Sequence, residues 1–395
     1  MSFQGIDLNE IHVHGLAAEP LYEWLREKAP LFRDAKDLWA VSRYDDVVYV
    51  SKHPEIFSSR FGVVPGVNLE MWPDEAMINL DGDEHTCQRG LVSKGFTPGR
   101  IAALESHIRA IVGELLDRVA SRGECDLVSA VARPLPMRVI GDMLGYPIER
   151  NDELLDITDL VVLGGNGPEH VTPEVAESFM KFCTFHEELL AERKEKRGDD
   201  LISVWLDAEL DGKKLSEEKL LYEHNLLLVG GSETTRHAIS GGMYELLRRP
   251  ADVAFLRAHP QAIPNAVEEM VRWTTPFVRM QRGLLADHEM HGTTMKAGDK
   301  IVMIYPAANR DPRAFERPQE FDVRRKFDKP ALAFGLGKHY CLGASLARLE
   351  IRVLVEEVLR RCQDITVAPG FDPAVKPSSF VRGLSSLPVQ FRAVP

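Results

Sequence analysis

The 33 residues between Ser216 and Pro250 read as a single helix. Ser216 can cap its start ahead of Glu217 and Glu218, whose charges suit the positive end of a helix. At about 1.5 Å per residue the rod is about 50 Å long, the width of a whole domain, so it has to cross the core. Most of the remaining chain also reads as helix. Residues 101–121, for example, place Ile101, Leu104, Ile108, Ile111 and Leu115 close to helical spacing. Strand signals are few and short: 38–41 near the start, 284–290 and 300–304 as an expected hairpin around His291-Gly292, and a last pair near 380–381 and 387–389. The pattern predicts a mainly α fold with small β-sheets. A length of 395 residues by itself suggests two or three domains. No repeat, low-complexity tract or linker divides the chain, however, and one unit over 1–395 is expected.

Lys and Arg number 48 against 60 Asp and Glu, a net charge of −12, so no nucleic-acid partner is expected. No run of about 18 uncharged apolar residues occurs, so no membrane anchor is expected. The first residues, MSFQGIDLNEIHVHG, lack the basic start and apolar core of a signal peptide, and a cytoplasmic protein is expected. Five cysteines, Cys87, Cys125, Cys183, Cys341 and Cys362, include no Cys-x-x-Cys pair, which argues against a disulfide framework or a zinc ribbon. His186-Glu187-Glu188 and His288-x-x-His291 make no zinc signature either. Four of the cysteines read as small buried apolar residues. Cys341 is different.

Residues 334–344 read Phe-Gly-Leu-Gly-Lys-His-Tyr-Cys-Leu-Gly-Ala, followed by an expected helix over 345–359. Glycines at 335, 337 and 343 let the backbone turn tightly and approach something flat. The helix start directs unpaired N–H groups at the Cys341 sulfur, which favours the thiolate. A thiolate held this way can ligate iron, and its electron donation helps to cleave a bound O–O bond. A buried cysteine in a turn is the other reading. A phosphate loop is excluded, because His339 stands where Ser or Thr is required.

Phe334, Gly337, His339, Cys341 and Gly343 complete the pattern Phe-x-x-Gly-x-His-x-Cys-x-Gly, which resembles the haem-binding signature of the cytochrome P450 superfamily. The resemblance implies haem b with Cys341 as the axial ligand of its iron, and it demands further motifs upstream. Gly230-Gly231-Ser232-Glu233-Thr234-Thr235 lies inside the long helix, where each glycine costs about 1 kcal/mol relative to Ala. Either the helix packs closely there and Thr234 bonds back to it, or Gly230 and its neighbour let it open beside the iron. In the family the Glu233–Thr234 pattern implies an acid–alcohol pair that relays protons. Glu269-x-x-Arg272 would alone be a surface ion pair worth a few tenths of a kcal/mol. The resemblance instead implies a buried structural triad with Arg325. His85 and Arg89, four apart on a helix expected from near Asp83, together with Arg282 and His339, match positions that hold the haem carboxylates.

The resemblance runs from about residue 38 to 389 and implies a single triangular-prism domain whose long helix crosses the haem. It implies a soluble bacterial monooxygenase that inserts one atom of O₂ into a C–H bond, with electrons supplied from outside. Ferredoxin with its reductase is the expected donor, and a monomer is expected. Lys338, Arg348 and Arg352 would form its docking patch, or are scattered surface charges. A peroxide-driven hydroxylase typically lacks the acid–alcohol pair, and a non-catalytic haem sensor would need no relay. Val63, Val67, Met71, Trp72, Val229, Thr275, Phe277, Val278 and Phe380 are expected to line the substrate pocket, with Gly164-Gly165-Asn166-Gly167 as the hinge of a lid. Such a wall suits a large, uncharged, lipophilic substrate. Stretches such as 134–137 and 140–145 resemble mycobacterial members that oxidise the cholesterol or cholestenone side chain. Steroid or sterol hydroxylation is the first expectation; terpenoids and branched or long-chain fatty acids are the alternatives.

Overall fold

The computed structural model describes residue 3, residues 5–66 and residues 75–394. Ser216 Oγ accepts a hydrogen bond from the Lys219 N–H, and the helix it caps runs Glu217–Leu247. Its C-terminal half is buried nearly all round, with Ala238, Ile239, Met243 and Leu246 in the main core. Helices Pro134–Leu144, Ile263–Thr274 and Ala344–Arg361 pack around it. The close approach has a local cause. A Cβ at Gly242 would lie 2.4 Å from the Met270 methyl, so only glycine lets these two helices touch. The expected helix over 101–121 divides into Pro98–Ala103 and Glu105–Ala120 at Leu104.

The sheets are as small as expected but pair differently. Five strands lie in the order Leu31–Arg33, Trp39–Val41, Lys300–Ile304, Arg279–Leu284, Phe57–Ser58. Lys300–Ile304 thus pairs antiparallel with Arg279–Leu284 and not across His291-Gly292. The hairpin at that turn is the short one between His288–Met290 and Thr293–Met295, with His291 at φ 52° and Gly292 at φ 72°. Residues 380–381 form no strand; Val381 makes a single bridge to Phe277. Pro388–Ala393 pairs instead with Cys362–Val367 and with Glu124–Asp126. Among the described residues no helix is long and apolar enough to cross a membrane.

Helices Asn151–Val161 and Pro173–Glu195 are joined by the turn Val162–Asn166 and a short stretch after it. The expected hinge is fastened here. Asn166 is buried and its Oδ1 accepts from Ser378 Oγ at 2.7 Å and from the Ser379 N–H at 2.9 Å. At Gly165 a Cβ would fall within 2.1 Å of the Phe380 ring, so the turn lies flat against that phenyl group.

Candidate functional site

The loop carrying Cys341 is shaped by its main chain. The Cys341 N–H donates to Phe334 O at 2.9 Å, closing the turn. Gly335 and Gly337 take φ values of 67° and 77°, where side chains are strained. At Gly337 a Cβ would also lie 2.6 Å from Ser51 O, on the end of helix Tyr44–Lys52. Helix Ala344–Arg361 begins three residues after the sulfur. Burial pushes the Cys341 thiol up; the Gly343 N–H, the Arg89 and Arg348 guanidinium groups and the Ala344 N–H pull it back down.

Cys341 opens onto a cavity that runs between the long helix and the loop. Phe334, Gly343, Gly230 and Thr234 line it. At Gly230 and Gly343 a Cβ would meet nothing within 4 Å, so both glycines face open space. One edge of the cavity is cationic or hydrogen-bonding. Arg89, Arg282 and His339 line it, and the His85 ring lies 4.2 Å from the His339 ring, centroid to centroid. Burial lowers His85 to about 4, aided by the nearby His339 and Arg89. Its Nε2 is buried with no partner among the described residues. Asp81 organises this edge: burial pushes it up, but the His339 ring 3.7 Å away and hydrogen bonds from Ser58 and the Ser59 N–H hold it at about 2. A thiol, two bare glycine faces and a group of donors at one edge fit haem b, with its carboxylates at Arg89, Arg282, His339 and His85.

The long helix presents two stripes with different tasks. Leu226, Gly230 and Thr234, four residues apart, face the cavity together with Leu227, Gly231, Thr235 and Ala238. The close-packing reading holds at Gly231, where a Cβ would sit 3.2 Å from Ile140, while Gly230 is bare and the helix runs unbroken through the pair. Thr234 Oγ1 donates to Gly230 O at 2.7 Å, leaving its lone pairs for the cavity. The adjoining stripe holds Val229, Glu233, Arg236 and His237, none of which lines the cavity. The Glu233 carboxylate meets Arg236 at 2.7 Å, and Arg236 also reaches Asp159 at 2.5 Å. Burial pushes Glu233 up to about 7, against the pull of Arg236; Asp159 adds to the push.

The expected pocket wall needs correction. Val67, Met71 and Trp72 lie outside the described residues. Phe277 lines the cavity, but Val63, Val229, Thr275, Val278 and Phe380 do not. Thr275 ends helix Ile263–Thr274 at φ 40°, its hydroxyl donating to Arg272 O and accepting from Asn309 Nδ2. Val278 is buried beneath main-chain bonds to Phe380 O and from the Tyr305 N–H. Val63 is likewise tied down, between Asn79 Oδ1 and the Gln281 N–H. Phe380 packs edge-on against Phe277 at 5.0 Å, behind it. The observed wall adds Ile78, Leu226, Leu227 and Met280. Stepping back from Thr234 in fours along the helix would have found Leu226 in the sequence alone; Met280 depended on strand register.

Away from the cavity, Glu269 meets both Arg272 and Arg325, and all three are buried. The expected docking patch is largely neutralised. Arg348 pairs with Glu268 and Arg352 with Glu105 and Glu356, leaving Lys338 as the exposed cation of the three.

A family model described as Cytochrome P450 matches residues 153–259 and 257–390. A steroid C26-monooxygenase of Mycobacterium tuberculosis is 41% identical over 384 residues, covering 96% of this chain and 94% of that one. A methyl-branched lipid omega-hydroxylase of Mycobacterium bovis is 37% identical over 383 residues, covering 94% and 88%. The solved structure of a cytochrome P450 from Chondromyces apiculatus, 32% identical, superposes with a TM-score of 0.88 over 98% of both chains. With nearly its whole length matched in sequence and in fold, the chain belongs to the cytochrome P450 family and is a haem b monooxygenase.

Proposed function

We propose that this chain hydroxylates a C–H bond in the side chain of a steroid or sterol. The observation that carries the reading is the wall above the cysteine loop: Met77, Ile78, Leu226, Leu227, Phe277 and Met280 enclose it, and the basic side chains Arg89, Arg282 and His339 gather at the carboxylate edge. A rigid, uncharged lipid loses water contact there and finds no buried charge to pay for. The similarity to a steroid C26-monooxygenase points the same way. Branched lipids are the second reading, favoured by the similarity to a methyl-branched lipid omega-hydroxylase.

Haem b, when bound, would supply the oxidising chemistry, and the Cys341 thiolate would hold its iron and donate electron density to it. The protein's own work is done around it. Arg89, Arg282, His339 and His85 would hold its carboxylates, and the apolar wall excludes water and aims one carbon. Thr234 presents an acceptor oxygen to the cavity and moves protons. Glu233 is the acid beside it on the helix, tied through Arg236 and Asp159 to Arg133. Electrons come from a ferredoxin with its reductase, and the enzyme works as a cytoplasmic monomer.

Optical titration with steroids, terpenes and fatty acids, followed through displacement of iron-bound water, tests the substrate class. Steroids are expected to bind at least about tenfold tighter than straight-chain fatty acids, a difference of ~1.4 kcal/mol. Equal or reversed affinities would transfer the assignment to lipids. A second test addresses the relay. Thr234→Ala is expected to leave substrate affinity unchanged while product per electron falls by about tenfold or more and peroxide release rises. Full coupling in that variant would remove Thr234 from the mechanism.

A further inference from the structure

Met77 and Ile78, two side chains of the cavity wall, stand on the turn Met77–Asn79. So short a 3₁₀ turn makes few bonds within itself and cannot hold its own place. Its position has to be fixed from outside. At its far end Asn79 Oδ1 accepts from the Val63 N–H at 3.2 Å, and Val63 O accepts from the Gln281 N–H at 2.8 Å, which ties the turn to strand Arg279–Leu284. At its near end the anchor is an acid on the long helix. Glu223 is fully buried, and its Oε1 accepts from the Met77 N–H at 2.5 Å and from Gln88 Nε2 at 2.8 Å. Gln88 also donates to Glu75 O at 2.6 Å, so the main chain is gripped on both sides of Ala76.

Glu223 does not itself line the cavity, but the next turn of its helix does, through Leu226 and Leu227. One side chain thus links a wall segment from outside the helix to the wall that the helix supplies. A carboxylate suits the task. One of its oxygens accepts from two donors at once, and bonds to it are shorter and stronger than those to a neutral group. The same clamp reaches the haem edge, because Gln88 lies on helix Gly82–Val92 between His85 and Arg89. Met77 belongs to the apolar cluster that holds Ile140 and Leu227, so a shift of the turn changes the space left beside the long helix. With Asn79 still held by Val63, release of the near end swings the turn and does not unfold it.

We infer that Glu223 is the positioning residue that sets the width of the cavity and, through it, which carbon of a lipid is oxidised. It lies outside the cavity and acts through Met77 and Ile78. A wall displaced by about 1 Å moves a bound carbon by a comparable distance, enough to present its neighbour for attack. The inference rests on the reading that the wall aims one carbon. It holds for whichever lipid the chain hydroxylates, steroid or branched.

Product analysis and optical titration of the haem-loaded protein test this, with the lipid that the wild type binds most tightly. Glu223→Ala should raise the dissociation constant by roughly tenfold and raise KM more than it lowers kcat. It should also spread hydroxylation over carbons that the wild type leaves alone. Glu223→Gln keeps an oxygen acceptor of equal reach and should restore the wild-type product ratio. A merely structural role would lower the yield of holoprotein or kcat and leave that ratio where it was. Retention of the red-shifted carbonyl band in both variants shows that the thiolate site is intact. A product ratio in Glu223→Ala equal to that of the wild type overturns the inference. So does a Glu223→Gln variant as unselective as Glu223→Ala, because the charge and not the hydrogen bonds would then be the working feature. Gln88→Ala removes one arm of the clamp without touching the long helix, and should shift the ratio in the same direction by less. If Glu223→Ala takes up no haem, an unchanged ratio in Gln88→Ala overturns the inference in its place. A wild type without a dominant product shows that the wall aims nothing and ends both readings; one dominant product in wild type and Glu223→Ala alike ends only this one.

Discussion

Cys341→Ser abolishes the red-shifted band that carbon monoxide gives with the reduced protein. The reason lies in the donor atom and not in the loop. A thiolate pushes electron density onto the iron, whereas a serine hydroxyl keeps its proton and donates far less. Chain geometry around the site is set by main-chain contacts that do not involve the sulfur: Cys341 N–H to Phe334 O at 2.9 Å, Tyr340 N–H to Gly337 O at 3.1 Å, and two glycines at positive φ. The variant should therefore fold, with stability within about 1 kcal/mol of the wild type. Unfolding curves on the metal-free proteins separate that from the spectroscopic loss. Persistence of the band would mean that another side chain ligates the iron, and the reading of the loop would fall with it.

What the residues disclosed in advance follows the range of the interaction concerned. Ser216 announced the long helix because a cap acts within one turn, and the observed helix begins where that side chain accepts from Lys219. The loop at 334–343 was legible for a similar reason, since each of its glycines answers a local demand of the backbone. Strand pairing was not. Trp39–Val41 lies parallel to Lys300–Ile304, about 260 residues away, and no local signal encodes that register. Side-chain partners were equally hidden. Arg348 and Arg352 looked like a free basic surface until the fold brought Glu268 and Glu105 against them. The direction of Glu233 was in principle readable, because residues 229, 233 and 236 share a stripe that 230 and 234 do not.

Neighbouring glutamates on one helix give the sharpest contrast in stability. Glu268→Gln should cost well under about 1 kcal/mol, because its pair with Arg348 is partly exposed and screened by solvent. Glu269→Gln should cost ~3–5 kcal/mol. Glu269 is fully buried and accepts from Arg272 Nε at 2.7 Å, Arg272 Nη2 at 2.8 Å, Arg325 Nε at 2.9 Å and the Asp322 N–H at 2.8 Å. Arg272 in turn places its remaining donors on the carbonyls of Asn309, Pro318 and Glu320, so the pair ties helix Ile263–Thr274 to the segment that precedes the cysteine loop. Loss of the negative charge leaves two guanidinium groups in the interior without a counter-ion, a penalty that the amide's remaining hydrogen bonds do not offset. Against a typical total of about 5–15 kcal/mol, that is enough to unfold a large share of the protein at 37 °C or to release its haem. Urea unfolding of the two variants in parallel measures the difference. Coincident midpoints would show that the triad is no more than a surface ion pair, and that the cysteine loop is fixed by its glycines and main-chain bonds alone.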